Sequence, residues 1–402
     1  MILATPKGNR ESFGAAFDSS TPIPRASVYN SHANRIDLSD AIGVPAFARG
    51  VRLICDTASS FPLRVYQGSA TDRIEQATSS QAQLLKHPAG REIPSSQVWS
   101  YTFASMLRGG AYLFKVKDSR GNVIQLVPVD PRLVTPKYKN GKMNFDLRDK
   151  PSGRITSRVG AETILYVAGI LVEHPAIGVS VVDAFRRSIS TEIQRHEFEN
   201  RYLQNDGFPG VILKHASNVT RDQREELRES FESRHTGPSN AGRPAILWGG
   251  WEIDRVATTL TDAQFIESQK FGVQEVGRML GIPAGLLNDP DALASPSVES
   301  ENMRFLQYGL DPWITRLEQA LANDVDIFPA PDWSVEFDPS RLLRADIKTR
   351  FDAYRLARQG GWITANEIRA IEGYAPAEGG DQIQETPVGG APNTANSGSP
   401  AN

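Results

Sequence analysis

VESENMRFLQYGLDPWITRLEQALANDV, residues 298–325, decides the architecture. Apolar side chains fall at Met303, Leu306, Leu310, Trp313, Leu317 and Leu321, steps of three and four that share one helical face. Gly309-Leu310-Asp311-Pro312 interrupts the run. Asp311 is suited to cap a restarted helix with Pro312 at its first position. The stretch therefore predicts one long helix with a kink rather than two distant helices. On its N-terminal side, residues 282–297 carry Gly285, Asn288, Asp289, Pro290, Asp291 and Pro296 and read as a loop. Thr261–Leu280 reads as another long helix, with Ile266, Val273, Val276 and Leu280 on one face and Gly281 and Pro283 as stops.

Further outward, a strand at Val211–Lys214, a strongly charged helix at Thr220–His235 and a strand at Pro244–Trp248 form a small strand–helix–strand unit. Val181–Leu203 reads as a long helix ended by Gly207 and Pro209. Before it lie a helix at Val44–Ser60, a strand at Leu63–Gln67 and a helix at Ser95–Arg108, with Ser95 or Ser96 available to cap it. Strands follow at Ala111–Lys117, Val123–Pro128, Leu133–Tyr138, Met143–Leu147 and Thr163–Val167. Ser119-Arg120-Gly121-Asn122 and Asn140-Gly141 are hairpin signals between them. After the kinked helix come a strand at Ser334–Phe337, a helix at Arg341–Arg358 and a capping box, Thr364 to Glu367, opening a last short helix. The fold class is α+β. Residues 1–39 read as a flexible arm, and 375–402, rich in Gly, Pro, Ser and Asn, as a disordered tail.

Composition narrows the function. The chain has 402 residues, 44 Lys plus Arg against 47 Asp plus Glu, and a net charge of -3. That balance argues against a protein that grips nucleic acid through a broad basic surface. No membrane span is expected, because the longest apolar stretch, around Ile164–Val172, is far short of the roughly 20 residues a spanning helix needs. The single cysteine, Cys55, excludes an intrachain disulfide and a Cys-based zinc site, and its apolar helical setting makes it a core residue rather than a nucleophile. A phosphate loop, a dinucleotide fingerprint and a nucleophile elbow are all missing. The six histidines show no zinc-ligand spacing. Asn288, Asp289 and Asp291 read as a solvated turn before they read as a cation site. No catalytic residue, cofactor or metal is assigned, and the weight shifts to an assembly role.

The order of short motifs resembles the portal proteins of tailed bacteriophages, the HK97-like portal family. The stretches that carry it are Leu84-Leu-Lys-His-Pro88 with Gly109-Gly110-Ala111-Tyr112, then Leu126-Val-Pro-Val-Asp-Pro131, then Gly178-Val-Ser180 through Asn205-Asp-Gly207 and Pro209-Gly210. Gly242, Leu247-Trp-Gly-Gly250, Asp262-Ala-Gln264, Gly281-Ile-Pro283 and Leu286-Leu287 follow. Val335-Glu-Phe-Asp338, Leu342-Leu343, Gly361-Trp-Ile-Thr364, Asn366-Glu367 and Arg369 complete the series. Together they cover most of residues 40–382.

The resemblance implies a portal fold: wing (40–179), stem helices (180–206 and 260–281), clip (207–259), tunnel loop (282–297), a wing helix and strand (298–340) and a crown (341–374). It implies a homo-oligomeric ring, a dodecamer, at a unique capsid vertex of the virion, assembled in the bacterial host cytoplasm and passing double-stranded DNA during packaging and ejection. The implied partners are the major capsid protein, the terminase large subunit and a head–tail adaptor or connector. Another ring-forming head or connector protein, or a soluble enzyme without a recognisable motif, are the competing readings. The candidate tunnel residues are Asn288, Asp289, Asp291, Ser295, Ser297, Glu299 and Glu301. The candidate docking residues of the clip are Arg221, Arg224, Glu225, Arg228 and Glu232, and the candidate basic face of the crown is Lys348, Arg350, Arg355 and Arg358. Residues 282–325 hold seven acids and two bases, an excess that suits a wall along which a duplex slides. Residues 341–372 hold seven bases and four acids.

Overall fold

A computed structural model describes residues 38–69, 72–151, 153–172, 174–204, 211–215, 251–255, 262–288, 298–342 and 347–383, together with 220–222, 225 and 229. They divide into two compact units, one reaching Asp338 and one starting at Pro339.

In the first unit a short helix α1 (Leu38–Ala41) precedes α2 (Pro45–Ser60). Phe47, Val51, Ile54, Cys55 and Ala58 follow helical spacing and are buried. Pro45 opens this helix, where its missing N–H leaves nothing unpaired. α3 (Ser80–Lys86) is capped by the Ser79 hydroxyl, which accepts the Ala82 N–H at 3.1 Å. α4 (Ser95–Leu107) packs on α2. β1 (Leu63–Gln67) runs between β2 (Ile74–Glu75) and the late strand β11 (Trp333–Phe337), antiparallel to both. Phe337 brings the two layers together: its ring lies 5.8 Å from Phe103 and 6.4 Å from Trp99 of α4.

β3 (Gly110–Lys117) is flanked by β4 (Val123–Val129) and β8 (Ile164–Ala168). β5 (Val134–Lys139), β6 (Lys142–Arg148) and β7 (Ile155–Gly160) form a second antiparallel sheet. Asn140 (φ 52°) and Gly141 (φ 75°) make the β5–β6 turn, as the two-residue hairpin signal requires. The two sheets share a core of Tyr112, Val134, Phe145 and Ile164, where Tyr112 stacks on Tyr166 at 5.1 Å. Burying a side chain such as Phe145 stabilises by about 1.5–3 kcal/mol.

Three chain segments cross where β8 leads toward the long helices. Gly169 donates its N–H to the Gly109 carbonyl at 2.9 Å, and a Cβ on Gly178 would collide with both Gly109 and Gly169. The Tyr166 hydroxyl accepts the Gly178 N–H at 2.9 Å. α5 (Val181–Ala184) and α6 (Arg186–Gln204) follow. β9 (Val211–His215) pairs antiparallel with β10 (Trp251–Arg255). α7 (Asp262–Leu280) then leads to α8 (Val298–Arg304), a π-helical segment (Phe305–Leu310) and α9 (Asp311–Ala322). The second unit contains α10 (Ile347–Gln359) and α11 (Ala365–Ile371).

Several expectations change. The helix expected over Val181–Leu203 breaks at Phe185, whose backbone (φ -108°, ψ 21°) leaves the helical range. Neither Ser95 nor Ser96 caps α4: Pro94 holds the capping position and no side chain bonds the first turn. Asp311 makes no capping hydrogen bond either, because the backbone stays helical from Arg304 through Asp311. Where the kink was expected, the helix widens into a π-helical segment in which the Asp311 N–H donates to the Leu306 carbonyl, just ahead of Pro312, which has no N–H to give. The described partner of β9 is Trp251–Arg255, and the expected strand Pro244–Trp248 lies outside the described residues. β7 was not expected: its residues from Ile155 to Arg158 are exposed and lack apolar alternation.

The tail boundary at 375 also moves. Residues 375–383 are pinned to Asn366, which accepts the Ala377 N–H at 2.7 Å, donates to the Ala377 carbonyl at 3.1 Å and to Asp381 at 2.9 Å. The Asn366 N–H donates to the Gly380 carbonyl at 2.9 Å. Residues 384–402 lie outside the described residues, as do 1–37 of the arm expected over 1–39, whose last two residues, Leu38 and Ser39, instead open α1 with Leu38 buried.

Candidate channel and docking elements

The α7–α9 module is built on backbone contacts. Gly281 (φ 69°) ends α7 in the left-handed region that favours glycine. A Cβ there would come within 3.1 Å of the Tyr308 carbonyl and 3.5 Å of the Gly309 Cα, so the π segment lies directly on this turn. A 3₁₀ turn, Ala284–Leu287, follows and closes with Asn288 in the left-handed region (φ 63°, ψ 35°). The Glu301 carboxylate of α8 rests on Gly285, the foot of this turn. Both ends of the 288–297 segment are thus held against one another by residues outside it.

α9 is fastened on the far side. Glu318 accepts the Phe337 N–H at 2.7 Å, and burial pushes its carboxyl up despite that bond. Past its end, Asp324 and Asp326 enclose Lys115 of β3 at 2.8 and 2.7 Å, with Lys117 on Asp326 at 2.9 Å. Arg316 lies over the Trp313 ring at 5.1 Å, and partial burial lowers its guanidinium pKa.

The two long helices meet through a buried charge. Glu192 of α6 pairs with Arg195 at 2.7 Å, and its carboxylate rests on Gly272 of α7. α7 also packs on α2, with Leu280 over Gly50. Phe198, Phe271, Met303 and Tyr308 remain exposed on these helices, although Arg278 covers part of Phe271. Among the described residues no helix is long and apolar enough to cross a membrane, and no group of three or more His, Cys, Asp or Glu could hold a metal ion. Cys55 is buried, and burial pushes its thiol up to about 12.

The family model described as phage portal protein matches residues 45–373, which span all three of these arrangements. The chain belongs to the phage portal protein family. It is 26% identical over 354 residues to the portal protein of Enterobacteria phage HK97, covering 85% of this chain and 82% of that one. It is 24% identical over 361 residues to the probable portal protein of Streptomyces phage phiC31, covering 85% and 77%. The fold is similar to that of an HK97 family phage portal protein from Corynebacterium diphtheriae (TM-score 0.59, 15% identity, 77% of this chain and 98% of that chain). It is also similar to a chain of the neck of a native GTA particle computed with C12 symmetry (TM-score 0.56, 20% identity, 83% and 91%).

Within this family member the candidate residues separate. Asn288 is exposed at the start of the loop, while Asp289, Asp291, Ser295 and Ser297 lie outside the described residues. Glu299 is on α8 with its side chain outside the description, and Glu301 is half-buried against Gly285. Arg221 and Glu225 are helical and exposed; Arg224, Arg228 and Glu232 lie outside the described residues. Lys348 is on α10, its side chain again outside the description.

Arg350 does not join an open basic face. It pairs with Glu372 at 2.7 Å and keeps only 19% of its side chain exposed, while the Tyr354 hydroxyl donates to the same carboxylate at 2.9 Å. Arg355 and Arg358 are exposed, with Asp352 3.3 Å from Arg355. The buried Lys115 cluster and the Glu192–Gly272 contact were not read from the sequence. The sequence carries no signal for the first, because in Phe114-Lys115-Val116-Lys117 the lysines fall where an alternating strand puts its polar residues.

Proposed function

We propose that this chain assembles into a closed ring, a dodecamer, at one capsid vertex of a tailed phage and serves as the conduit for double-stranded DNA in packaging and ejection. The observation that carries this reading is the α7–loop–α9 module. The elements on either side of the 288–297 segment are fastened together by Gly281 on Gly309 and Gly285 on Glu301, within a span that belongs to the portal family. In this reading α5–α6 and α7 are the stem, the β9–β10 pair belongs to the clip, and residues 282–297 line the tunnel. The second unit is the crown, and the remaining sheets and helices are the wing. The acidic excess over 282–325 supports a lining that repels phosphates rather than holding them. ATP hydrolysis would reside in the terminase large subunit, and the major capsid protein and a head–tail adaptor would complete the set of partners. The role is structural, with no catalysis of its own.

Electron microscopy of the purified chain is expected to show rings with a central hole wide enough for duplex DNA. A monomer at every salt concentration would overturn the reading. Deleting 288–297 is expected to leave rings intact and to change DNA retention and packaging yield, measured separately. Unchanged values for both would remove the loop from the channel.

A further inference from the structure

The unit from Pro339 onward leaves much of its apolar surface uncovered. Phe351, Leu356, Trp362, Ile371, Tyr374 and Ile383 are each at least half-exposed, and Trp362 keeps 87% of its surface open. Apolar exposure of this density marks a surface that meets another protein.

The exposed groups fall into two sets of opposite charge. On α10, Arg350, Tyr354 and Ala357 repeat at the spacing of one helical face, and Arg350 and Tyr354 hold Glu372 at the end of α11. Phe351, Arg355 and Arg358 repeat at the same spacing one flank over and are exposed. That flank is an aromatic ring followed by two cations, of which Arg355 lies 3.3 Å from Asp352 and Arg358 is exposed. The second set lies on the segment after α11: Tyr374 and Ile383 with the exposed acids Glu378 and Asp381. The four hydrogen bonds through Asn366 fix its backbone, so the acidic edge is presented in a defined shape. Residues 375–402 contain three acids and no Lys or Arg.

We propose that these two surfaces bind each other between neighbouring copies of the chain, the basic aromatic flank of α10 in one copy receiving the 374–383 edge of the next. The proposal rests on the ring reading above and goes beyond it by naming the two faces. The net charge of each face favours one geometry, although Asp352 offsets Arg355 on the first and Arg369 lies over the Tyr374 ring on the second. Two basic flanks repel, as do two acidic edges, so a two-fold dimer through either face is disfavoured. A head-to-tail contact uses one face of each kind per copy, and closing the ring leaves neither exposed.

Cross-linking the full chain tests this. Cys55 is buried and its thiol is inert, so introduced cysteines react alone. The chain carrying Arg358→Cys and Glu378→Cys, treated with a short bismaleimide, is expected to give a ladder of covalent oligomers ending in a closed species. Either substitution alone is expected to give monomer. Arg355→Cys with Glu378→Cys supplies a second pair. Covalent dimers from a single variant would show a two-fold contact and overturn the proposal. So would rings seen by electron microscopy in which both pairs yield only monomer, open or internally bridged, and the ring reading would then survive. Absence of both rings and ladder would remove the two together.

Discussion

Lys115 keeps 1% of its side chain exposed and is met by Asp324 and Asp326, more than 200 residues away in the chain. The cluster ties β3 to the end of α9. Replacing Lys115 with Met leaves Asp324 buried without its cation, and breaking such a pair costs about 3–5 kcal/mol. Thermal unfolding of Lys115→Met is expected to show a loss in that range, partly recovered by adding Asp324→Asn, because the uncompensated charge is then gone. Asp326 adds a pH dependence. Burial disfavours its charge, but hydrogen bonds from Lys115 and Lys117 outweigh that and hold it below its ordinary 3.8. Its contribution is complete above the unfolded value and is lost as pH falls through the lower folded value. Melting temperatures measured from pH 7 down to about pH 3 are expected to fall less steeply at the acid end in Asp326→Asn. Cys55 gives a simpler check: iodoacetamide at pH 8 is expected to modify it only after denaturation.

At the scale of elements, the sequence was most legible where period and punctuation agree. The helix expected over Val44–Ser60 forms from Pro45 with Val44 at its cap, and the Asn140-Gly141 hairpin and the Thr364 to Glu367 capping box appear as expected, the last with reciprocal bonds of 3.2 and 2.7 Å. Legibility failed where packing decides. β7 carries little apolar signal because Ile155 to Arg158 are exposed and only Val159 packs on the shared core, and the strand is held by pairing with β6. The π segment could not be told from a capped restart, since both fit Gly309 followed by Pro312. Of the candidate site, Arg350 was misplaced for a related reason: a helix face is visible in spacing, but its tie to Glu372 depends on where α11 folds. Thr364→Ala is expected to lower stability by about 1 kcal/mol in chemical denaturation. Gly178→Ala should cost more, because its Cβ has no room between Gly109 and Gly169.

For the molecule as a whole, charge acquires a different meaning from its total. The -3 sum equals the charge of residues 375–402, so the remainder is balanced. Local excesses remain, acidic over 282–325 and basic on the α10 flank, and it is on these that the proposed channel and subunit contact rest. The proposed channel therefore implies weak, salt-insensitive association with duplex DNA. Binding measured across a salt series is expected to have a shallow slope, and a steep one would indicate many phosphate contacts. In the proposed ring the same balance leaves subunit order to the few exposed charges of the two faces named above.

The fastening of Gly281 to Gly309 and of Gly285 to Glu301 has a consequence for how such chains diversify. These fastening residues lie outside 288–297. Doubling the length of a flexible loop costs only about 0.6 kcal/mol in closure entropy. If residues 288–297 line the channel as proposed, insertions and deletions between them cost the scaffold little, so a lineage resizes the aperture without redesigning the ring.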